Sequence, residues 1–369
     1  MKVLAALSGG VDSAVAAALA VEAGHDVTAV HMALNANQTQ NRCGSRGCCT
    51  VEDASDARLA ASMLGIPFYV WDMAETFEET VVEDFLNEYR RGRTPNPCVR
   101  CNEFVKFREL ATRADALGFD AVCTGHYARV LNGPGGVELH RAKCIEKDQS
   151  YVLAVMGREA LEKVIFPLGE YESKSQVRAE AEQRGLPMSA KPDSYDICFI
   201  ADGDTGGFLR SHLGDQVGKI VDTSGAEVGT HSGAYQFTIG QRKGLNLGRP
   251  AADGRPRYVL GTDMKTNTVV VGASELLSVD IIEASDVVLL TDSGDSALAG
   301  QVEVTLQYRA HGSEVPAKVW LGQDGSLRAQ LLTPTRAVAS GQSLVVYSGN
   351  HAICEATIEC AFKQENPSM

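Results

Sequence analysis

The feature that most constrains this fold is the hexapeptide SGGVDS at residues 8–13. An apolar run at 2–7 precedes it and has the composition of a buried parallel strand. Residues 14–20 are rich in good helix formers, and Ser13 is placed to cap the start of that helix. A strand, a tight Gly-Gly turn and a helix N-terminus present backbone N–H groups and a favourable dipole to an anion. The sequence therefore predicts a phosphate-binding loop after the first strand.

The loop differs from the GxxxxGK[ST] motif because no lysine follows the glycines to reach a terminal phosphate. It resembles the PP-loop of ATP pyrophosphatases, which implies cleavage of ATP to AMP and pyrophosphate, with Mg²⁺ accompanying the phosphates. One alternative is a Gly-Gly turn in an unrelated α/β protein. Another is a secretory signal, but Asp12, Glu22 and Asp26 interrupt the apolar run that a signal needs.

Bulk composition is typical of a folded cytoplasmic enzyme. The 369 residues suffice for two or three domains, and no apolar run is long enough to cross a membrane. The ten cysteines occur singly or in tight clusters, which favours thiol chemistry or metal binding over a disulfide framework. A net charge of −13 argues against a protein that is basic overall, but a local nucleic-acid surface remains compatible with it.

The first third of the chain alternates between strand and helix patterns. The pattern predicts strands at 2–7, 26–32, 68–71 and 121–124, and helices at 14–20, 52–64 and 76–89. In the second helix, the apolar stripe is Ala54, Ala57, Leu59, Ala60, Met63 and Leu64. This order predicts a doubly wound parallel sheet whose ligands bind at the carboxyl ends of the strands. Met32, Gly125 and His126 would then share the rim that carries SGGVDS.

Beyond about residue 205, short β-rich runs separated by turn residues replace the helical periodicity, as at 258–261, 268–271, 302–306 and 344–347. These runs predict small β domains, the last one a barrel or a sandwich. We therefore expect an α/β catalytic domain at 1–207, a small central domain at 208–278 and a β-barrel-like domain at 279–369.

A net basic stretch lies at 87–113, around a Pro-rich loop. Its cations are Arg90, Arg91, Arg93, Arg100, Lys106, Arg108 and Arg113, against Glu88, Glu103 and Glu109. In an acidic protein such a stretch is a candidate surface for phosphate contacts. The alternative is a solvated helix face held by local ion pairs.

The same stretch contains a CxxC motif, Cys98 and Cys101, ahead of a helix. The helix N-terminus and Arg100 are placed to lower the pKa of these thiols. Cys198 is a distant partner, and sulfur transfer needs one thiolate that carries sulfur and another that attacks it. The alternatives are half of a zinc site, or buried cysteines without a chemical task.

Eight ordered motifs, spread over nearly the whole chain, carry a more specific resemblance. They are SGGVDS at 8–13, GCCTVEDASDARLAASMLGIPFYVWDM at 47–73, RTPNPCVRCN at 93–102, TGHYAR at 124–129, KDQSYVL at 147–153, KPDSYDICFI at 191–200, YQFTIGQRKGL at 235–245 and YRAHG at 308–312. Together they resemble the tRNA-specific 2-thiouridylases. The resemblance implies 2-thiolation of the wobble uridine of tRNA(Lys), tRNA(Glu) and tRNA(Gln). A cysteine desulfurase or a sulfur-relay protein would supply the sulfur.

The resemblance also implies residue roles. Cys101 matches the nucleophile and Cys198 the persulfide carrier, and the two would end the cycle as a disulfide. Positions matching ATP contacts are Ala6, Leu7, Ser8, Gly9, Gly10, Val11, Asp12, Ser13, Met32 and Gly125. Positions matching contacts with the target base are Asn96, Pro97 and Cys98. Positions matching contacts with tRNA are His126, Lys147, Asp148, Gln149, Tyr308, Arg309 and Gln342. The uridine must be flipped into a pocket, which an anticodon loop permits at low cost.

Cys98 departs from the family pattern, in which many members have Asp. A thiol with an ordinary pKa near 8.5 is a poor general base at pH 7, so Cys98 stays a catalytic candidate and a base contact whose general-base role is open. One hypothesis is that Cys98, Cys101 and Cys198 bind a [4Fe–4S] cluster with one open iron. Cys43, Cys48 and Cys49 could instead complete a zinc site with the CxxC, or form a thiol-bearing loop. For Cys123, Cys144, Cys354 and Cys360 we expect packing roles.

Two other function classes compete with tRNA thiolation. A PP-loop synthetase acting on a small molecule would need ATP but no cysteine pair. A non-catalytic RNA-binding module would bind tRNA without ATP turnover, and the intact SGGVDS argues against it.

Overall fold

A computed structural model of the chain describes residues 1–34, 51–192, 197–200, 202–248, 253–292 and 295–364. Among these residues, no helix is both long enough and apolar enough to cross a membrane.

A parallel five-stranded sheet organises the N-terminal part. The strands of this part are β1 (Lys2–Ala6), β2 (Asp26–Ala33), β3 (Phe68–Asp72), β4 (Ala121–Cys123), β5 (Ala128–Gly133), β6 (Gly136–Arg141) and β7 (Val164–Ile165). The sheet order is β3-β2-β1-β4-β7. Successive residues of β1 enter two different apolar clusters, because Val3 and Ala5 face one side while Leu4 and Ala6 face the other. Both faces are therefore covered, which confirms the doubly wound parallel sheet.

The described α-helices are α1 (Val11–Glu22), α2 (Val51–Met63), α3 (Ala74–Phe77), α4 (Glu83–Arg90), α5 (Pro97–Arg100), α6 (Leu110–Ala116), α7 (Ser150–Leu153), α8 (Gly157–Leu161), α9 (Lys174–Gln183) and α10 (Thr205–Leu213). Helices α1, α2 and α9 contribute to the apolar cluster on one face of the sheet, and α4 and α6 contribute to the cluster on the other face. Helices α7 and α8 instead belong to a cluster that includes Tyr347 and Ala352. Two π-helical segments, Glu78–Val82 and Cys101–Glu109, join α3 to α4 and α5 to α6. Short 3₁₀ turns occur at Ile145–Lys147, Ala154–Met156, Pro167–Glu170, Pro187–Ala190, Ala234–Gln236, Ser274–Leu277 and Ser296–Leu298.

Two sequence expectations about these helices are wrong. Helix α1 begins at Val11, three residues earlier than expected, with Gly10 at its N-cap, so Ser13 lies in the first turn and does not cap it. The glycines that let the loop turn tightly also let the helix start directly after it. In α2 the buried side includes Asp53, Ala57, Ala60 and Ala61, whereas Leu59 and Met63 are exposed. The small alanines allow α2 to pack closely, and this rotates the larger side chains toward solvent.

The remaining strands form a small central sheet and a closed barrel. The central strands are β8 (Gly218–Val221), β9 (Glu227–His231), β10 (Tyr258–Asp263) and β11 (Thr268–Gly272), in the order β10-β11-β8-β9. The barrel strands are β12 (Ser278–Leu289), β13 (Val304–Gln307), β14 (Val315–Leu321), β15 (Leu327–Arg336), β16 (Ser343–Ser348) and β17 (His351–Phe362). Pairing of β12 with β17 closes the ring, which confirms the barrel expectation.

The hairpin β5–β6 leaves the N-terminal part and extends the barrel sheet. His140 and Leu139 of β6 pair with His351 and Ala352 of β17. This connection is not visible in the sequence pattern, and it joins the N-terminal part to the barrel through backbone hydrogen bonds.

Candidate functional site

The phosphate loop requires glycine at position 9. Gly9 has φ +79°, and a Cβ built there would lie 2.2 Å from the backbone oxygen of Asp53. Both the left-handed backbone and the close approach of α2 exclude a side chain. The loop is thus held between β1 and α2 in one conformation.

The N-terminus of α1 is arranged for an anion. Within the described part of the chain, no side chain caps this end of the helix. The Ser13 hydroxyl donates to the carbonyl of Gly10 at 3.1 Å and accepts from the Ser8 amide at 3.1 Å. The serine therefore stabilises the loop and leaves first-turn N–H groups for a phosphate.

Asp12 is held by two side chains that sequence reasoning did not single out. The Tyr127 hydroxyl donates to Oδ1 at 2.8 Å, and Lys174 Nζ lies 2.5 Å from Oδ2. Tyr127 lies within the TGHYAR motif but had no assigned role, whereas Lys174 lies in no motif. A carboxylate and an ammonium group therefore stand together at the end of α1. One carboxylate beside substrate phosphates suits Mg²⁺, which keeps most of its ligands as water and phosphate oxygens.

The other expected ATP contacts lie on the same rim. Ala6 ends β1, Leu7 follows it, and Met32 lies near the end of β2. A Cβ built on Gly125 would lie 2.6 Å from the backbone of Asp12 and of Ser13, so Gly125 packs directly against the loop. The structure thus brings together the residues named from the sequence as ATP contacts.

Lys191 ties the segment that leads to Cys198 onto the phosphate loop. Its Nζ donates to the Gly9 carbonyl at 3.1 Å, to Asp53 Oδ1 at 2.7 Å and to Asp56 Oδ2 at 2.7 Å. Burial lowers the pKa of Lys191, but the hydrogen bonds to the two carboxylates outweigh burial and the pKa is raised. Lys191 is therefore a fixed cation at the loop.

Two of the three cysteines of interest, Cys101 and Cys198, share one apolar cluster, and Cys98 is exposed outside it. Asn96 caps α5 by accepting from the Cys98 amide at 3.1 Å, with Pro97 at the first helical position. Cys98 is exposed, and Cys101 is buried at the start of a π-helical segment, a geometry frequent at functional sites. Cys101 belongs to the cluster against which the partly buried Cys198 packs.

The basic stretch is largely ion-paired. Arg100 binds Glu103 at 2.8 Å and approaches Asp84 at 3.5 Å, so its charge is balanced next to the CxxC. Further pairs in this stretch are Arg91–Glu88, Arg93–Glu88, Arg93–Glu359, Arg108–Glu103 and Arg113–Glu109. Local ion pairing, the alternative weighed from the sequence, describes these residues.

The remaining cysteine expectations have mixed outcomes. Cys123, Cys144 and Cys354 are buried, as packing roles require, but Cys360 is exposed on β17 and its thiol faces Glu283 Oε2 at 3.7 Å. The packing expectation for Cys360 is wrong because the buried run of β17 ends before Glu359, and Glu359 and Cys360 are both exposed. Cys43, Cys48 and Cys49 lie outside the described residues.

Cys98, Cys101 and Cys198 do not form a preassembled cluster site. Within the described ranges, no three His, Cys, Asp or Glu side chains are grouped to hold a metal ion. The [4Fe–4S] cluster at these thiols stays a prediction.

His126 is enclosed rather than presented on the rim. Its Nδ1 lies 2.7 Å from the Thr124 hydroxyl, and its ring packs against Phe107 and Phe166. Burial, followed by the nearby Lys106 ammonium, holds the pKa of His126 well below its ordinary value. The imidazole is thus neutral at pH 7, and its contact with tRNA stays a prediction.

The KDQ segment is Lys147, Asp148 and Gln149, and the side chains of two of these residues form hydrogen bonds within the protein. Asp148 accepts from Arg141 at 3.0 Å and from Ser150 Oγ at 2.7 Å, and the side chains of Asp148 and Arg141 are almost fully buried. Gln149 Oε1 accepts from the Tyr127 amide at 2.9 Å. Lys147 ends a 3₁₀ turn and is partly exposed. These contacts position the segment, whereas its contacts with tRNA stay predictions.

The barrel residues named from the sequence also have internal partners. The hydroxyl groups of Tyr308 and Thr335 lie 2.6 Å apart, and Arg309 donates to the Ala337 carbonyl. Gln342 Nε2 donates to the Thr94 carbonyl at 2.6 Å, two residues before Asn96. The barrel therefore holds the loop that leads into the CxxC.

A buried acid lies at this contact between loop and barrel. Glu355 of β17 lines a small cavity together with Asn96, Arg100 and Ser343. Burial raises the pKa of Glu355 to about 7, opposed by the Ser343 hydrogen bond and the Arg100 charge.

Family models match three consecutive stretches of the chain. Residues 1–202 match a "tRNA methyl transferase HUP domain", 206–273 a "tRNA methyl transferase PRC-barrel domain", and 279–358 an "aminomethyltransferase beta-barrel domain". The tRNA-specific 2-thiouridylase MnmA of Beutenbergia cavernae is 61% identical over 364 residues, covering 97% of this chain and 94% of that protein.

The chain belongs to the tRNA-specific 2-thiouridylase family. The relative from Kocuria rhizophila is 55% identical and covers 98% of both chains. The domain models carry methyl-transfer names, but the full-length relatives share the whole chain and are the closer guide to the family.

The chain is only weakly similar to two solved structures. An NMN synthetase from Francisella tularensis is 22% identical with a TM-score of 0.32, covering 52% of this chain and 65% of that one. A 4-thiouridine synthetase in complex with RNA and ATP is 16% identical with a TM-score of 0.35, covering 57% and 50%. These scores are too low for the likeness to bear on function.

Proposed function

We propose that this protein uses ATP to replace O2 of the wobble uridine of tRNA(Lys), tRNA(Glu) and tRNA(Gln) with sulfur. The observation that best supports the proposal is the Lys191 bridge, because it ties the segment leading to Cys198 to the carbonyl of Gly9 in the phosphate loop. The bond keeps Lys191, seven residues before Cys198, beside the phosphate loop, and the proposal takes adenylation and sulfur delivery to occur at one site.

The first step activates the base. Uridine O2 attacks the α-phosphorus of ATP, the bond to the β-phosphate oxygen breaks, and pyrophosphate leaves with the electron pair. The N-terminal amides of α1 bind the phosphates, and the Lys174 ammonium stabilises the charge that develops on the departing pyrophosphate. Asp12 would hold the Mg²⁺ that accompanies ATP and neutralises phosphate charge.

The second step delivers sulfur. The terminal sulfur of a Cys198 persulfide attacks C2, and AMP leaves with O2. Cys101 thiolate then attacks Sγ of Cys198, the S–S bond to the transferred sulfur breaks, and 2-thiouridine is released with a Cys101–Cys198 disulfide. In a variant of this step, Cys101 releases hydrosulfide from the persulfide first, and hydrosulfide attacks C2. A cellular thiol reduces the disulfide in either case.

The division of labour follows the three parts of the chain. Residues 1–207 would perform the chemistry, and 208–278 with 279–369 would hold the tRNA body. Asn96, Pro97 and Cys98 would meet the flipped base, with the partly exposed Lys147 and the exposed Arg309 contacting the backbone. A cysteine desulfurase or a sulfur-relay protein would load Cys198 in the cytoplasm.

The test is nucleoside mass spectrometry of unmodified tRNA(Glu) incubated with the protein, ATP, Mg²⁺, a cysteine desulfurase and cysteine. We expect 2-thiouridine at the wobble position, and its loss in Cys101→Ser and Cys198→Ser. Cys198→Ser should still release pyrophosphate and form the adenylated tRNA, because adenylation precedes sulfur delivery and AMP leaves only when sulfur attacks C2. Cys360→Ser, an exposed cysteine on the barrel, is the matched control and should retain activity.

Three results would contradict the proposal. Thiolation that persists in Cys198→Ser would contradict the assignment of Cys198 as the persulfide carrier. AMP formation with a small molecule but not with tRNA would favour the synthetase alternative. If folded protein makes neither 2-thiouridine nor AMP, the result would contradict the assignment of SGGVDS as an ATP-binding loop.

A further inference from the structure

Arg141, at the end of β6, is a buried junction between the N-terminal part and the barrel. Arg141 is only 4% exposed, and its guanidinium carbon lies 3.6 Å from the centroid of the Tyr347 ring. One nitrogen, Nη1, donates both to Asp148 Oδ2 at 3.0 Å and to Gln307 Oε1 at 2.8 Å. A planar guanidinium stacked on a ring and bonded on both sides is fixed in orientation.

On the barrel side, Arg141 is linked through Gln307 to the turn after β13. Gln307 is buried, and its Nε2 donates to the carbonyls of Arg309 at 3.0 Å and Ala310 at 3.1 Å. These two bonds set the shape of the turn that presents the exposed Arg309. The orientation of Gln307 is in turn set by Arg141.

On the other side, Arg141 is linked through the KDQ segment and Tyr127 to the phosphate loop. Gln149, next to Asp148, exchanges hydrogen bonds with Tyr127, since its side chain accepts from the Tyr127 amide and its own amide donates to the Tyr127 carbonyl at 2.8 Å. The Tyr127 hydroxyl then donates to Asp12. Direct polar contacts and two short backbone links thus connect Asp12 to the turn at 309–310.

We propose that Arg141 is a positioning residue that couples binding of the tRNA backbone at the barrel turn to binding of ATP at Asp12. The proposal rests on the proposed function, because it takes the polyanion at the turn to be tRNA. A shift of the turn on binding tRNA moves Gln307, and Arg141 transmits the shift to the KDQ segment and Tyr127. Coupling of this kind is reciprocal, so ATP must tighten tRNA binding by the same factor.

The test measures that factor directly. The dissociation constant of α,β-methylene-ATP is determined by calorimetry with and without saturating unmodified tRNA(Glu). We expect tRNA to tighten nucleotide binding about fivefold or more in the full-length protein. Gln307→Met should bring the ratio to about one and leave nucleotide binding without tRNA unchanged. Arg141→Lys, which keeps a charge for Asp148 but loses the planar fork, should give an intermediate ratio.

Arg328→Met is the matched control. Arg328 pairs with Glu283 at 3.0 Å on the barrel exterior, with both side chains over two-fifths exposed, and its loss should leave the ratio at the wild-type value. A ratio that stays at the wild-type value in Gln307→Met would overturn the proposal, as would a wild-type ratio of one. Coupling in a wild type that makes no 2-thiouridine would support Arg141 and contradict the proposed function. A wild type that does not bind tRNA would overturn both.

Discussion

Lys174 Nζ lies 2.5 Å from Asp12 Oδ2, although 162 residues separate the two in the chain. The Lys174 side chain is 14% exposed, so this ion pair is only partly screened by water. It places a cation at the N-terminus of α1, where a bound triphosphate would lie. A lysine from α9 thus stands where the SGGVDS motif itself supplies none.

Replacing Lys174 by Met should lower kcat/KM for AMP formation about 100-fold, because one donor aimed at developing charge is typically worth 10²–10³ in rate. The measurement is tRNA-dependent AMP release, quantified by chromatography. Lys143→Met is the control, since Lys143 forms an exposed ion pair with Glu170. If kcat/KM for AMP formation by Lys174→Met stays within twofold of the wild-type value, Lys174 does not act on the phosphates.

Gly9→Ala should abolish ATP binding and lower the Tm strongly, because the new methyl group meets the Asp53 backbone at 2.2 Å. Gly24→Ala provides the comparison. Its φ is +78° against +79° for Gly9, but nothing lies within 4 Å of the added Cβ, so it carries only the left-handed strain of about 1–2 kcal/mol. Equal losses of Tm in the two variants would show that the contact with α2 is unimportant.

Bound tRNA should protect Cys98 from alkylation if Cys98 meets the target base. Cys98 and Cys360 are both exposed, and only Cys98 lies at the proposed base pocket. We expect unmodified tRNA(Glu) to slow iodoacetamide labelling of Cys98 at least tenfold and to leave labelling of Cys360 unchanged, as read by peptide mass spectrometry. Equal protection of both thiols, or of neither, would contradict the assignment of Cys98.

Glu355 should make stability depend on pH between 4.5 and about 7. Its pKa is 4.5 ordinarily and about 7 in the folded protein, so the folded state binds more protons in this window. The free energy of unfolding therefore falls as the pH rises through the window, by a contribution on the order of 3 kcal/mol.

Glu355→Gln should flatten this dependence and raise the Tm at pH 8 relative to wild type, as measured by calorimetry from pH 5 to 8. Glu303→Gln, at an exposed position, is the control and should keep the wild-type slope. A wild-type slope in Glu355→Gln would show that another group carries the titration.

The local sequence pattern predicted the elements that form around continuous apolar runs. Strand β1, strand β2 and the phosphate loop between β1 and α1 lie where expected, because buried strands and Gly-Gly turns have strong local signals. The pattern placed Leu59 and Met63 in the core, and they are exposed. Which stripe of α2 faces the sheet depends on the close approach of its alanines, a property of packing that periodicity does not contain.

The site shows the same division. SGGVDS and the two cysteine motifs named the residues of the phosphate loop and the thiols from sequence alone. Lys174 and Arg141 lie in no motif, and Tyr127 and Lys191 lie inside TGHYAR and KPDSYDICFI without an assigned role, since the partners that define their roles lie far away in the chain. For Asp148, the sequence suggested an RNA contact, and the structure shows a buried ion pair with Arg141.

By itself, the sequence determined the parallel α/β architecture, the phosphate loop, the β-rich C-terminal part and the family, because each of these depends on short local patterns and on their order along the chain. Only the tertiary structure decided what holds Asp12, how the segment leading to Cys198 is tied to Gly9, and how the barrel reaches the CxxC loop through Gln342 and Thr94. Hydrogen bonds and ion pairs act over about 3 Å in space. The folded chain alone brings residues from distant parts of the sequence within that range.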